Sequence, residues 1–293
     1  MRVLLLGAGG FLGRHTARAL AAQGHTVSTL GNTVGSGLGT GFEWAEAHRA
    51  KTWLPWLLGL DAAIYLPGTL RDRMRGIGGW LERLHHHAPA ALAEACVLAG
   101  VPRLTHVSVL CQGPSAYARS KREGDAAIQA VAQRTGLQAH IVQPSLVLGQ
   151  GGITSRQLEQ LSHLPLWPLP AVMQRCLVQP LRVEDLADVL VATLRAAPTA
   201  TPWHAVGPET APLPQWLQRR RAQRGQGPAR VLTLPAALAA ATAAWGDHVR
   251  FTSWSRETWA LMAHDSASPD PSAPDRLATL IGRPLQSALE GPW

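Results

Sequence analysis

Two residue types are almost missing from this chain. Of its 27 basic residues only Lys51 and Lys121 are lysines, and Tyr65 and Tyr117 are the only tyrosines. Cysteine is nearly as scarce: Cys96, Cys111 and Cys176 are odd in number, far apart and form no CxxC pair. That pattern excludes a disulfide framework and a cysteine zinc site, and it suits a reducing cytoplasm. Long apolar runs are lacking too. The first, residues 3–6, passes straight into glycines and is too short for the core of a signal sequence. The longest, residues 232–245, is interrupted by Thr233, Pro235 and Thr242. It falls short of the roughly 20 residues a spanning helix needs. A soluble, cytoplasmic protein without a membrane span is expected.

What is present is enough apolar material for a sizeable core. The 293 residues are 46% hydrophobic and 16% charged, which excludes a disordered chain and fits one large domain carrying a smaller lobe. The net charge of +8 raises the question of a polyanionic partner. The arginines cluster at Arg71, Arg73 and Arg75, and again at Arg219, Arg220, Arg221 and Arg224. Four arginines within six residues of a helix cannot share one face, so a solvated basic surface is the expectation. No aromatic residues interleave with them as a base-stacking platform would require, so nucleic acid is not expected as a partner. Oligomeric state is not encoded in any motif.

Strand and helix signals alternate along the first half. Residues 3–6 form a continuous apolar run, the mark of a strand buried on both faces of a parallel sheet. Helical spacing follows over residues 11–23 up to Gly24, with strands at 26–30, 61–66, 103–110 and 138–143. Residues 31–41 hold five glycines and read as a loop, and helices occupy 81–99 and 116–135, each stopped by glycine. Alternation of this kind predicts an α/β fold, a Rossmann-type doubly wound parallel sheet. Its dinucleotide-binding core spans residues 1–150. A small, mostly helical lobe spans 151–293, with the strand and helix of 177–206 returning to the core sheet.

Gly7, Gly10 and Gly13 stand directly between the first strand and the first helix. The first permits a tight turn, the second lets the backbone approach a pyrophosphate, and the third lets helix and strand pack closely. Phe11 and Leu12 lie between them, and the helix start offers free N–H groups to phosphate. Dinucleotide binding is the expectation. After the second strand no carboxylate appears before Glu43 to hold a ribose 2′-hydroxyl, whereas Asn32 sits there and Arg14 follows the third glycine. NADP(H) is favoured over NAD(H) on that ground.

Tyr117 and Lys121 place one of the scarce tyrosines four residues before one of the scarce lysines, on one face of a helix start. A lysine ammonium near a phenol favours the phenolate, so the pair can exchange a proton with a substrate oxygen while hydride moves. The lysine can also hold the nicotinamide ribose.

With GAGGFLG at 7–13, DAAIYLPG at 61–68, YARSK at 117–121, QPSLVLG at 143–149 and QPLRVEDLADVL at 179–190, the chain resembles the extended or atypical short-chain dehydrogenase/reductases. Within them it is similar to the branch holding the nucleotide-binding accessory subunit of respiratory complex I. The resemblance implies that Leu66, Pro67 and Gly68 lie along the adenosine half of the cofactor and that Pro144 and Ser145 flank the nicotinamide. It implies a small-molecule substrate of sugar-nucleotide, quinone-like or isoprenoid type. The usual catalytic Ser or Thr of the family is replaced by Leu110, with Ser108 and Ser115 as substitutes. Gln143 stands where arginine is common, Arg182 where histidine is common, and Asn32 where a basic residue follows the second strand.

Other features invite blander readings. His85, His86 and His87 are consecutive on a helix and point about 100° apart, so no metal site is expected. Cys111 reads as a small buried thiol, and Glu184 and Asp185 as carboxylates favouring a helix dipole. Trp167, Trp203, Trp216, Trp245, Trp254 and Trp259 read mainly as lobe packing. Three functions remain open: an oxidoreductase working through Tyr117 and Lys121, a cofactor-binding accessory or sensor protein that has lost its chemistry, and a basic module that binds RNA or membrane through Arg219–Arg224.

Overall fold

Alternate side chains of the first strand point to opposite faces of a sheet that is covered on both sides. The computed structural model describes residues 1–30, 42–70, 72, 79–110, 113–247, 254–291 and 293. In β1 (Arg2–Leu6), Leu4 and Leu6 join Trp53, Leu57, Leu92, Cys96 and Ile128 in one core, while Val3 and Leu5 join Leu20, Ile64, Val191 and Leu194 in the other. Strict alternation with apolar residues at every position is what burial on two faces demands. Each fully buried leucine contributes about 1.5–3 kcal/mol relative to exposure.

The main sheet has six strands in the order β10-β5-β4-β3-β1-β2, all parallel. Its other members are β2 (Thr26–Thr29), β3 (Ala62–Tyr65), β4 (Arg103–Val107), β5 (Gln138–Pro144) and β10 (Trp203–Ala205). Helix α1 (Phe11–Ala22) packs with α7 (Val183–Thr193) on one face; α2 (Ala50–Leu57), α4 (Ala88–Leu98) and α5 (Ala116–Thr135) cover the other. Strand order reverses between β1 and β3, and the carboxyl ends of these two strands open the crevice where doubly wound sheets bind ligands.

The helix expected at 81–99 is not uniform. It opens with α3 (Trp80–Glu82), widens into a π-helical turn at Arg83–His87 and resumes as α4. A reason lies across the interface: Gly124 of α5 sits so close that a Cβ there would stand 2.0 Å from the His85 carbonyl oxygen. Tyr65 pins the same turn by donating from its hydroxyl to the Leu84 carbonyl at 2.7 Å.

Beyond Gly149 the chain forms a lobe around Trp167, Leu169, Met173, Trp216 and Leu217. It is built from α6 (Ile153–His163), α8 (Leu213–Gln223), α9 (Ala236–Gly246), α10 (Arg256–Met262) and three strand pairs. These are β6 (Val147–Leu148) with β9 (Leu181–Arg182), β7 (Leu166–Pro170) with β12 (Arg230–Leu234), and β8 (Leu177–Val178) with β11 (Ala211–Pro212). The last helix, α11 (Ala273–Ile281), returns to pack on α7 and β10. Strand β12 departs from the helical reading of this region. It pairs residue for residue with β7, so its exposed apolar side chains belong to a strand edge.

The basic surface expected at 219–224 also takes a different form. Arg220 and Arg221 are buried. Arg220 lies 4.4 Å over the Trp293 ring and donates to the carbonyls of Leu289 and Gly291; Arg221 donates to those of Ser162, Leu164 and Gly227. Arg224 pairs with Glu159. Only Arg219 of the four is exposed, and the others hold the lobe and the chain terminus together.

Candidate active site

The glycine loop begins at the buried end of β1. Gly7 takes φ +83°, a left-handed conformation that suits glycine, and a Cβ there would meet the Leu66 Cβ at 3.3 Å. Gly10 precedes the first turn of α1 with extended backbone, and its N–H donates to the Gly7 carbonyl at 3.0 Å. At Gly13 a Cβ would stand 2.1 Å from the Gly7 oxygen, so the helix approaches the loop as closely as only glycine allows. Leu12 and Gly13 lie in the first turn, where the N–H groups face the crevice unpaired within the helix. Leu66, Pro67 and Gly68 follow β3 directly against Gly7. Arg14 donates to the Gly9 carbonyl at 2.8 Å and reaches toward Gly151, across the mouth of the loop. Asn32 lies outside the described residues, as do Arg71, Arg73, Arg75 and Cys111.

The second wall is a face of α5. Ser115 caps this helix, accepting from the Ala118 N–H at 3.1 Å, and its oxygen is thereby engaged. Tyr117 and Lys121 follow one turn apart, and both line a cleft of about 740 Å³ together with Phe11, Leu66, Gly68, Ser108, Pro144 and Ser145. The Lys121 ammonium donates to the Val107 carbonyl at 2.8 Å. Burial lowers its pKa to about 8, an effect that the Asp125 charge opposes. Gly68 faces it so closely that a Cβ would sit 3.7 Å from Lys121 Nζ and 3.6 Å from His85 Nε2.

Asp125 is the next step of the same spacing and was not among the sequence candidates. Its Oδ2 accepts from Ser108 Oγ at 2.7 Å and from Gln143 Nε2 at 3.0 Å. Burial raises its pKa to about 6, partly offset by those hydrogen bonds and by Lys121. His106 is fully buried beside it, Nε2 3.5 Å from Asp125 Oδ1, and burial holds this imidazole well below its usual range. The face Tyr117–Lys121–Asp125 is thus a row of polar groups running from the cleft into the core.

His85 was also missed, hidden in a histidine triplet. The π turn aims it inward, edge-on to Tyr117 with ring centroids 5.0 Å apart. Its Nε2 accepts from the Thr69 N–H at 3.1 Å and its Nδ1 meets Ser120 Oγ at 3.0 Å. Ser120 donates its own proton to the Tyr117 carbonyl, so Nδ1 carries the imidazole hydrogen. Burial, then the Lys121 charge, lowers the His85 pKa to about 2, and the ring is neutral. Contrary to the regular-helix expectation, His86 and His87 stack at 4.5 Å, and with Glu82 they bring three ligand atoms within 4.8 Å of one another. Arg119 reaches the Glu82 and Glu123 carboxylates there at 4.0 and 3.9 Å.

The two candidate serines differ: Ser108 donates its proton to Asp125, whereas Ser115 accepts as a cap and does not line the cleft. Leu110 itself lies in the cleft, its N–H bonded to the Pro144 carbonyl at 3.0 Å. Ser145 lines the cleft as well, with its hydroxyl donating to the Gln179 carbonyl. Glu184 and Asp185 open α7; Asp185 is buried and accepts from the Gln286 N–H at 2.8 Å while pairing with Arg283 at 2.6 Å. Of the tryptophans, Trp167 and Trp216 are lobe core, Trp254 lines the cleft and Trp245 is exposed.

The third wall is the lobe, and it is largely apolar: Leu158, Leu161, Leu169, Met173, Leu234 and Met262 face the Tyr117–Lys121 row. His264 stands at the near edge, packed over Gly113, and Glu257 accepts from the Tyr117 N–H at 3.1 Å. A site of this form can hold a nucleotide along the glycine loop and present an apolar molecule to a phenol.

Comparison with known proteins bears on the family and the fold. The ceramide reductase of Caulobacter vibrioides is 32% identical over 210 residues, 66% of this chain and 61% of that protein, so the match spans about three-fifths of the relative's length. Human epimerase family protein SDR39U1, solved with NADPH, superposes with a TM-score of 0.70 at 21% identity, covering 99% of this chain and 96% of that one. The UDP-glucose 4-epimerase of Thermus thermophilus, solved with NAD, gives 0.59 at 18% identity, covering 80% and 86%. These two likenesses concern the fold. The model of the NAD dependent epimerase/dehydratase family matches residues 3–201, and the chain belongs to that family.

Proposed function

We propose that the protein is a nicotinamide-nucleotide-dependent oxidoreductase that interconverts a carbonyl and an alcohol on an apolar, lipid-like substrate. The observation that carries this reading is the facing of two unlike walls: Tyr117 and Lys121 on one side, and leucine, methionine and tryptophan side chains on the other. In this reading the glycine loop holds the pyrophosphate. Lys121 binds the nicotinamide ribose, and Tyr117 gives its phenolic proton to the substrate oxygen as hydride arrives from the cofactor. Lys121, held by the Val107 carbonyl, keeps a positive charge below the developing phenolate. Ser108 and Asp125 position that lysine. The match to a ceramide reductase supports an apolar substrate over a nucleotide sugar. The lack of a carboxylate before Glu43 and the placement of Arg14 support NADP(H) over NAD(H). Free thiols buried at Cys96 and Cys176 support a reducing compartment.

A second reading has one specific observation in its favour. Leu110 lines the cleft where the family resemblance implies a hydroxyl, Ser108 gives its proton to Asp125, and Ser115 is not among the cleft-lining residues. Losing one oxyanion donor costs about 10²–10³-fold in rate, enough to turn an enzyme into a cofactor-binding accessory protein. The two readings separate in one experiment. Purified protein is titrated with NADPH and NADH, then assayed in one arm with long-chain ketones plus reduced cofactor and ceramide plus oxidised cofactor, and in the other with UDP-sugars. The oxidoreductase reading expects turnover in the first arm and a loss of about 10²–10⁴-fold in Tyr117→Phe with unchanged cofactor affinity. Cofactor binding without turnover in either arm establishes the accessory reading instead.

A further inference from the structure

The elements that close the apolar side of the cleft also carry an uncovered hydrophobic surface. In the β7–β12 pair Trp167 and Leu169 point into the lobe core, so Leu166 and Pro168 face outward beside Arg230 and Leu232. Leu166 is 48% exposed and Leu232 is 52% exposed. Helix α9 buries Ala239, Ala243 and Gly246. That spacing leaves Leu238 and Trp245, seven residues apart and therefore on one face, 51% and 69% exposed, with Thr242 between them at the rim of the cleft. The rest of the exposed surface of this helix is mostly alanine, and it has no charged residue from end to end. Its charge setting is mildly basic: Arg219 and Arg230 are exposed, whereas Arg220 and Arg221 are buried and Arg224 pairs with Glu159, and Asp247 follows the helix. Four large apolar side chains exposed on two consecutive elements are a cluster, not single scattered residues, and such clusters mark interaction sites.

We propose that β12 and α9 dock this protein on an anionic phospholipid bilayer, with α9 lying in the plane of the interface. Eleven residues of helix measure about 16 Å, half of a hydrocarbon core, so the helix rests on the membrane rather than crossing it. The chemistry fits a lipid surface better than a protein. Alanine, which makes up most of the exposed surface of α9, is depleted at protein–protein interfaces. Trp245 at one end of the apolar face belongs at headgroup depth. The exposed Arg219 and Arg230, together with Asp247 held by Arg256, leave this face a net positive charge that complements anionic headgroups. Leu234, between strand and helix, and Thr242 of α9 line the cleft itself, so an apolar molecule could pass from bilayer to cleft along one surface. That last link rests on the apolar-substrate reading above; the docking does not.

The test is flotation of the full chain with phosphatidylcholine vesicles, with and without about 30 mol% phosphatidylglycerol, at low and high salt. Wild-type protein is expected to float with the anionic vesicles and less so at high salt. Leu232→Ser, Leu238→Ser and Trp245→Ser combined are expected to lower the partition coefficient about 100-fold or more. Arg230→Glu leaves the apolar face intact and is expected to weaken binding to anionic vesicles alone. Unchanged NADPH affinity and unfolding temperature in these variants exclude misfolding. Absence of flotation at low salt overturns the proposal, as does flotation that survives the triple substitution. A concentration-dependent dimer that the triple substitution abolishes, without vesicle binding, overturns it in favour of a second copy of the chain. Turnover enters none of these readouts, so a failed reductase assay and a failed flotation are distinguishable.

Discussion

Lys121 and Asp125 lie one helical turn apart on the buried face of α5, and removing the carboxylate should change how cofactor affinity depends on pH. Burial brings Lys121 down to about 8, and the Asp125 charge is what resists a further fall. Asp125→Asn preserves shape and an acceptor for Ser108 and Gln143, while its amide could donate to His106 Nε2, now 3.5 Å from Asp125 Oδ1. Opposite charges about 6 Å apart, the spacing of an i,i+4 pair, interact by roughly 2–3 kcal/mol at an effective dielectric of about 20. At about 1.4 kcal/mol per pKa unit, losing that attraction lowers the lysine by one to two units. In the proposed function the ammonium is the form that binds ribose, so affinity is expected to be full below the lysine pKa and lost as pH rises through it.

NADPH fluorescence titrations from about pH 6 to pH 9.5 read this directly. A hydrogen bond from a charged group contributes about 1.5–3 kcal/mol, so the wild-type Kd should rise about 10–100-fold as pH passes through the Lys121 pKa. In Asp125→Asn the same rise should be centred one to two units lower. At neutral pH the variant therefore binds several-fold more weakly than wild type, and the two converge in alkali. A midpoint that does not move in the variant refutes the coupling. A flat wild-type profile refutes the assignment of Lys121 to the cofactor.

Other expectations concern the scaffold. Gly13→Ala places a Cβ 2.1 Å from the Gly7 oxygen, whereas Gly9→Ala meets nothing within 4 Å. The first should destabilise by about 1–3 kcal/mol or more and weaken NADPH binding at least tenfold, while the second leaves the unfolding temperature unchanged. Equal behaviour of the two in calorimetry and titration would show that close helix–loop packing is not the constraint. Arg221→Met strands the carbonyls of Ser162, Leu164 and Gly227 and should cost about 2–4 kcal/mol, lowering the unfolding temperature by roughly 5 °C or more. A shift below about 1 °C would return that arginine to the solvated surface first expected for it.

What the sequence made legible was local. Helix α5 begins and ends where expected because Ser115 caps it by hydrogen bonding Ala118 and Gly136 takes a left-handed C-cap; both signals act within four residues. The parallel core was legible in residues 3–6, since burial on both faces requires an unbroken apolar run. What failed was long-range. Arg220 and Arg221 are buried because carbonyls of the distant 289–291 and 162–164 segments accept their protons, and no spacing within 219–224 reports that. The π turn depends on Gly124 and Tyr65, neither adjacent in sequence, so the inward aim of His85 was hidden among three histidines. Strand β12 reads as the start of an apolar helix until its pairing with β7 is seen.

The two walls of the cleft differ for the same reason. The polar wall repeats at a spacing of four along one helix, and Asp125 was missed only because the reading stopped at Lys121. The same spacing carried one step further reaches this carboxylate, whose charge opposes the fall of the lysine pKa. The apolar wall is assembled from α6, β7, the β12–α9 junction and α10, and each contributes leucines or methionines that in isolation mean only packing. Chemistry can therefore be inferred from one segment of this chain, whereas the substrate class emerges only when four segments meet. The scarce residues divide along this line. Tyr65 and Lys51 serve the scaffold and the surface, and the cleft keeps Tyr117 and Lys121, the pair on whose phenol and ammonium the proposed function depends.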